Sequence, residues 1–268
     1  MIDTSVNLVI SKSNEVFLKI NTEPHIEYEL RDHFKFEVPN AKFMPQYRGR
    51  NWNGEIHLYD MRSKQIYVGL LDKIVNFCEQ YGYSYKFEDN KFYGTPYEEN
   101  DGISMEGVKD YMNSICAHTP RKYQIEGVYG ALKHNRKLLI SPTASGKSLM
   151  IYSLVRYYVD RGEKILLVVP TTSLVEQMYK DFLDYGWDAD SYCHRIYSGR
   201  EKSNDAPVTI TTWQSVYKLE RSFFEDYGCI IGDEAHLFKS KSLIQIMTKL
   251  HHAKYRFGFT GTLDGTQT

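Results

Sequence analysis

Cysteine is scarce and scattered: four in 268 residues, at positions 78, 116, 193 and 229, with no C-x-x-C pair or other metal-ligand spacing. That speaks against a zinc site and a disulfide framework, and the four are expected to be reduced, mostly packed thiols. Also missing is any run of eighteen or more apolar residues, so no membrane-spanning helix is expected. The first twenty residues carry charges where a secretory signal would be apolar, which points to a soluble, cytoplasmic chain. Net charge is nearly absent, at −1, which argues against a blanket polycation. No internal repeat or low-complexity tract is present.

What is there begins with enough apolar content, 42%, to bury a sizeable core in two modest domains. Residues 31–64 hold seven cations against four acids, a local net of +3, whereas 98–110 is acidic and glycine-bearing. Short alternating segments fill the first hundred residues. Asn7–Ile10, Val16–Ile20 and Glu55–Tyr59 read as strands, Ile26–His33 and Gly69–Tyr81 as helices, and Ser84–Glu88 as an edge strand. This predicts a small α+β domain over 1–95, followed by a polar linker over 96–117. From 118 to 268 the rhythm changes. Apolar runs at Leu138–Ile140, Ile165–Val169, Val208–Thr211, Cys229–Ile231 and Arg256–Phe259 alternate with helical patterns at Ser148–Asp160, Ser173–Tyr185 and Ser240–His251. That is the signature of a parallel sheet with crossover helices, an α/β fold.

The strongest chemical signal is Ser141-Pro142-Thr143-Ala144-Ser145-Gly146-Lys147-Ser148, placed between a strand pattern and a helix pattern. In that context backbone N–H groups from Thr143 to Ser148 cradle phosphate oxygens, Lys147 reaches the β and γ phosphates of ATP, and the Ser148 hydroxyl ligates Mg²⁺. Ser141 stands where the usual pattern has its first glycine. The second signal is Asp233-Glu234-Ala235-His236 at the end of an apolar strand. Asp233 is expected to hold Mg²⁺, and Glu234 to orient and deprotonate the attacking water.

Together these motifs resemble superfamily 2 helicases of the DEAH-box type, and the resemblance covers about residues 118–264. It implies a RecA-like P-loop sheet with flanking helices. Pro120-Arg121-Lys122-Tyr123-Gln124 is similar to the family's adenine-recognition element, which assigns Arg121, Tyr123 and Gln124 to the nucleotide. The segment from Val169 to Gln177, with Thr171 and Thr172, is similar to motif Ia, and Thr211-Thr212-Trp213-Gln214 to the next strand-end motif; in the family both touch the nucleic-acid backbone. Gly258-Phe259-Thr260-Gly261-Thr262 resembles motif III, and coupling roles for His236, Thr260 and Thr262 follow from the resemblance. Taken singly, each of these shorter motifs also reads as ordinary turn or helix-cap chemistry.

Residues 43–54 interleave cations and aromatics with glycine, a composition suited to phosphate contacts and base stacking through Arg48, Arg50 and Trp52. Ordinary hairpin packing is the alternative. The pattern from Phe43 through Tyr59 to Leu71 also resembles the amino-terminal unit of phage recombination helicases, which implies binding of branched or single-stranded DNA, and a host cytoplasm as location if the chain is phage-encoded. A family motor has a second RecA-like domain that supplies arginines to the transferring phosphate. The six residues after Thr262 are too few for one, so nucleotide binding with little turnover is expected of these 268 residues. Three outputs fit: a helicase or branch-migrating translocase, a double-strand translocase or restriction-complex motor, and a nucleotide-gated DNA-binding module. Oligomeric state is left undetermined.

Overall fold

In the computed structural model, residues 6–142, 145–197 and 205–261 are described. The chain divides into two compact units, Met1–Tyr97 and Glu98–Thr268.

The first unit is built on a four-stranded sheet of order β5-β2-β1-β6, from β1 (Leu8–Lys12), β2 (Phe17–Thr22), β5 (Gln65–Tyr67) and β6 (Tyr85–Glu88). β6 runs parallel to β1 at the sheet's edge, the other pairs antiparallel. Leu8, Ile10, Leu18, Ile20 and Ile66 alternate inward along these strands. They meet Ile26 and Leu30 of α1 (Pro24–His33) and Leu71, Ile74 and Phe77 of α3 (Leu71–Tyr81) in one core. Gly82 caps α3 in the left-handed conformation, at φ 73°. Between α1 and β5 the chain forms a two-stranded ribbon, β3 (Lys35–Glu37) against β4 (Glu55–His57), with the single turn α2 (Pro45–Arg48) in its long loop.

The second unit is a six-stranded, wholly parallel sheet of order β7-β12-β11-β8-β10-β9. Its strands are β7 (Arg136–Ile140), β8 (Lys164–Val169), β9 (Cys193–Ile196), β10 (Val208–Thr212), β11 (Tyr227–Asp233) and β12 (Tyr255–Thr260). β8 and β10 are buried along nearly their whole length, as strands covered on both faces must be. On one face lie α4 (Met105–Ile115), α5 (Lys122–His134), α6 (Lys147–Val159), α7 (Thr172–Asp184) and α8 (Ala189–Tyr192). The short helices α9 (Trp213–Val216) and α10 (Arg221–Phe224) cover the other face together with α11 (Lys241–Lys249). All four cysteines are free and buried. Among the described residues no helix is long and apolar enough to cross a membrane.

The segment 96–117 differs from its reading as a polar linker. Ser104 caps α4 by accepting from the Gly107 N–H at 3.1 Å, and Val108 and Met112 are buried in the core of the second unit. Its charged residues occupy the helix's exposed face, and the acid-rich stretch is an amphipathic helix whose apolar positions are few.

Candidate functional site

A parallel sheet aligns all its carboxyl ends along one edge, and the phosphate loop, the acidic motif and the strand-end motifs fall there, whereas Arg121, Tyr123 and Gln124 lie at the start of α5. The phosphate loop follows β7, Asp233 ends β11, Thr260 ends β12, Thr171 follows β8 and Gln214 follows β10. Neighbouring strands lie ~4.8 Å apart, so the loop and Asp233 are about 10 Å apart across β12, and β10 is about as far again beyond β11.

The centre of the site is Lys147 at the first position of α6. Its Nζ donates to Glu234 Oε1 at 2.8 Å, across 87 positions of sequence, and stands 3.5 Å from Asp233 Oδ1. Burial works to lower the ammonium's pKa, but the Glu234 hydrogen bond and the Asp233 charge outweigh it and hold Lys147 above its ordinary range. For Asp233 burial wins: the carboxyl is pushed up despite the opposing pull of Lys147. Asp233 Oδ1 is buried with no hydrogen-bond partner. Glu234 sits at φ 52°, ψ 51°, a left-handed conformation that costs a non-glycine residue about 1–2 kcal/mol. That turn aims its side chain back at Lys147. His236 follows, with Nδ1 3.0 Å from Thr260 Oγ1 and 3.3 Å from Glu234 Oε2.

Gln124 ties α5 to the phosphate loop. It is 4% exposed, and its Nε2 donates to the carbonyls of Ser145 at 3.0 Å and Gly146 at 3.3 Å, while its Oε1 accepts from the Arg121 N–H at 2.8 Å. Tyr123 hydroxyl donates to the same Ser145 carbonyl at 2.5 Å and accepts from Arg121 at 3.1 Å. Of the residues assigned to adenine, Arg121 and Tyr123 are exposed, and Gln124 has its carboxamide committed to the backbone of the loop and of Arg121. Gly146 is required here, because at φ +77° a Cβ would lie 2.5 Å from Gln124 Nε2. The loop is further held by Ser141, which donates its N–H to Thr260 O at 2.8 Å and whose hydroxyl bonds that of Ser145.

Ser148 lies apart from the acidic pair in this arrangement. Its hydroxyl is 2.7 Å from that of Tyr185, and it bonds Asp181, whose carboxyl burial raises and Ser148 draws back down. Neither Tyr185 nor Asp181 stands out in sequence, where they read as ordinary positions near the end of a helix. Thr143, Ala144 and Thr262 lie outside the described residues. Thr171 caps α7 by accepting from the Leu174 N–H at 3.3 Å, and Thr171, Thr172 and Gln214 are exposed.

A hard divalent cation suits the pair's chemistry. Mg²⁺ takes oxygen ligands, one or two of them carboxylates, with substrate phosphates and water completing its octahedron. The buried Oδ1 of Asp233, which has no hydrogen bond and faces Lys147 Nζ at 3.5 Å, is an oxygen of the kind such a cation could take. Among the described residues no group of three or more His, Cys, Asp and Glu is placed to hold a metal ion.

In the first unit Arg48 and Arg50 are exposed. The indole of Trp52 is half-buried and donates its N–H to Glu55 O at 2.7 Å, pinning the start of β4. Phe43 and Tyr47, which composition alone did not single out, are 60% and 40% exposed.

Two family models match the chain: "Type III restriction enzyme, res subunit" over residues 117–265, and "DNA helicase UvsW, N-terminal" over 10–88. Among curated proteins, the chain is 34% identical over 257 residues to the ATP-dependent DNA helicase uvsW of Enterobacteria phage T4, covering 92% of this chain and 50% of the relative. It is 32% identical over 170 residues to the DNA 3'-5' translocase XPB2 of Sulfurisphaera tokodaii, covering 62% and 35%. The crystal structure of the UvsW helicase from bacteriophage T4 superposes with a TM-score of 0.87 at 31% identity, covering 98% of this chain and 94% of that one. The chain spans about half the length, or less, of the curated relatives it matches.

Proposed function

The chain belongs to the superfamily 2 helicases, by its res-subunit motor unit and its UvsW-type amino-terminal unit, and on that premise we propose that it is the ATP-binding and DNA-recognising part of an ATP-driven DNA helicase or branch-migrating translocase serving recombination and repair. The observation that carries the reading is the convergence of Lys147 with Asp233 and Glu234 at the carboxyl end of the sheet.

ATP enters over the loop, and the loop's N–H groups with the amino terminus of α6 take its phosphate oxygens. Lys147 exchanges Glu234 for the β and γ phosphates. Freed of its ammonium partner, Glu234 accepts a proton from the water that attacks the γ-phosphorus as the bond to the β-γ bridging oxygen breaks. Mg²⁺, when bound, neutralises charge on the phosphate oxygens; Asp233 and, once released by Tyr185, Ser148 are its proposed ligands. His236 and Thr260 pass the state of Glu234 to β12. Thr171, Thr172 and Gln214 take the DNA backbone on the other half of the same edge, and Arg48, Arg50 and Trp52 serve branched or single-stranded DNA. Arginines that stabilise the transferring phosphate come from a second RecA-like domain in this reading.

A fluorescent ATP analogue tests the site. Lys147→Ala is expected to weaken binding about 10- to 100-fold, the worth of a charge-assisted hydrogen bond. Glu234→Gln is expected to keep binding and to lower turnover about 10²–10⁴-fold. Equal binding by the Lys147 variant, or undiminished hydrolysis by the Glu234 variant, overturns the assignment. A second output is supported by the likeness to a relative named as a translocase: movement along duplex DNA without strand separation. Triplex displacement without fork unwinding would select it.

A further inference from the structure

The loop joining the ribbon strands in the first unit holds a cleft of about 270 Å³, walled by Tyr47 and Gly54 and bordered by Asn40, Asn53, Lys42 and Glu37. Its floor is built for a flat group. Gly54 sits at φ +88°, and a Cβ there would lie 3.0 Å from that of Ala41 and 3.2 Å from Tyr47 Cε2, so the Tyr47 ring backs directly onto bare backbone while remaining 40% exposed. In the same loop the Lys42 ammonium lies 5.3 Å from the centroid of the Phe43 ring.

The polar groups around the cleft differ in what they have left to offer. Asn53 donates Nδ2 to Glu55 Oε2 at 2.8 Å and accepts from the Glu55 N–H at 3.1 Å, which fixes its amide plane and leaves a second N–H and a second lone pair. Asn40, in the left-handed region at φ 60°, has a side chain with no hydrogen bond among the described residues. Glu37 supplies an acceptor. The cations show the same contrast. Lys35 is paired with Asp32 at 2.6 Å and Lys64 with Glu27 at 2.7 Å, whereas Lys42, Arg48 and Arg50 have no carboxylate partner among the described residues. Residues 38–54 contain those three cations and no acid. Arg50 even occupies a left-handed position, φ 55°, that glycine would fill with less strain.

We propose that this cleft takes one unpaired nucleobase: Tyr47 stacks on it, the Asn40 and Asn53 amides bond its edge, and Lys42, Arg48 and Arg50 hold the flanking phosphates. The inference rests on the reading of the first unit as a DNA-binding unit and makes it specific for bases out of the duplex stack. A mostly polar lining disfavours a greasy ligand, and an aromatic wall with amides that retain unused donors and acceptors, beside cations without carboxylate partners among the described residues, is the combination single-stranded nucleic acid needs. Trp52, by contrast, spends its donor inside the turn.

The test uses the 268-residue chain and a short DNA single strand carrying one 2-aminopurine, with the fully paired duplex as reference. Stacking is expected to quench the probe, and the single strand to bind more tightly than the duplex. Tyr47→Ala should weaken single-strand binding about 5- to 100-fold and abolish the quench, with Tyr47→Phe restoring both. Asn40→Gly, which suits the left-handed backbone and removes a side chain that makes no hydrogen bond among the described residues, should weaken binding severalfold while the unit stays folded. Arg48→Ala with Arg50→Ala should reduce the slope of log affinity against log salt by about 0.7 per phosphate contact while leaving the quench of the bound complex. If the tyrosine and asparagine variants keep affinity within about twofold and keep the quench, while the arginine pair still weakens binding, the base cleft is refuted and the DNA-binding reading stands. If none of these variants alters binding, both fall.

Discussion

Gly146→Ala offers the sharpest test of how the phosphate loop is held. The residue sits at φ +77°, where a non-glycine side chain costs about 1–2 kcal/mol. Its new Cβ would also stand 2.5 Å from Gln124 Nε2. A carboxamide at the end of a flexible side chain usually swings aside cheaply. Gln124 is 4% exposed and makes three hydrogen bonds, to Ser145 O, Gly146 O and the Arg121 N–H, each worth about 1 kcal/mol net. Displacing it should therefore cost a further ~2–3 kcal/mol, for a total of about 3–5. Gln124→Ala alone should cost about 2–3. In the double variant the amide is already gone, so only the backbone strain remains to be added, and the pair should cost about the same as Gly146→Ala by itself. The coupling of about −2 to −3 kcal/mol is read from unfolding of the second unit in urea, with ATP-analogue affinity measured in parallel. Costs that add to within about 0.5 kcal/mol would refute the reasoning, because they would mean that Gln124 does not set the space at Gly146.

Two other expectations follow from packing. Met112→Ala, in α4, removes a side chain 1% exposed in the core of the second unit and should destabilise that unit by about 2–5 kcal/mol in thermal unfolding; a change below about 0.5 would show that 105–115 is the linker its composition suggests. Alkali should destabilise the chain: burial pushes the Cys78 thiol up to about 11, and the Cys193 thiol and the Tyr227 phenol up to about 12. Because the folded chain then holds protons that the unfolded chain releases from about pH 9 upward, the stabilisation is intact below pH 9 and is lost as pH rises toward 12, at about 1.4 kcal/mol per pH unit for each fully titrating group. A urea midpoint that stays constant from about pH 8 to about pH 10.5 would contradict this.

The parts of the molecule legible in its sequence are those where one physical requirement dominates locally. A parallel strand buried on both faces has to be apolar throughout, so β8 and β10 show as Ile165–Val169 and Val208–Thr211, and a loop that binds phosphate with its backbone leaves glycine, lysine and serine at fixed spacing. Where the outcome depends on what lies opposite, the pattern is silent. β9, with His194 and Arg195 in a strand of four, is polar because it closes the sheet at an edge, and nothing local separates it from a loop. α4 hides because only Val108 and Met112 among its residues are buried and Gly107 weakens its helical signal. The same distinction orders the two ends of the functional reading. Lys147 and Glu234 are marked by motif, yet their 2.8 Å contact comes from β7 and β11 being separated only by β12, a topology no spacing encodes. In the ribbon loop, composition favours Trp52, the largest ring beside the arginines, but a ring can stack only on a face that folding leaves open. The Glu55 carbonyl takes the Trp52 donor, and Gly54 turns Tyr47 outward. Residue type set the chemistry available to that loop; the bare backbone at Gly54 decides which ring uses it.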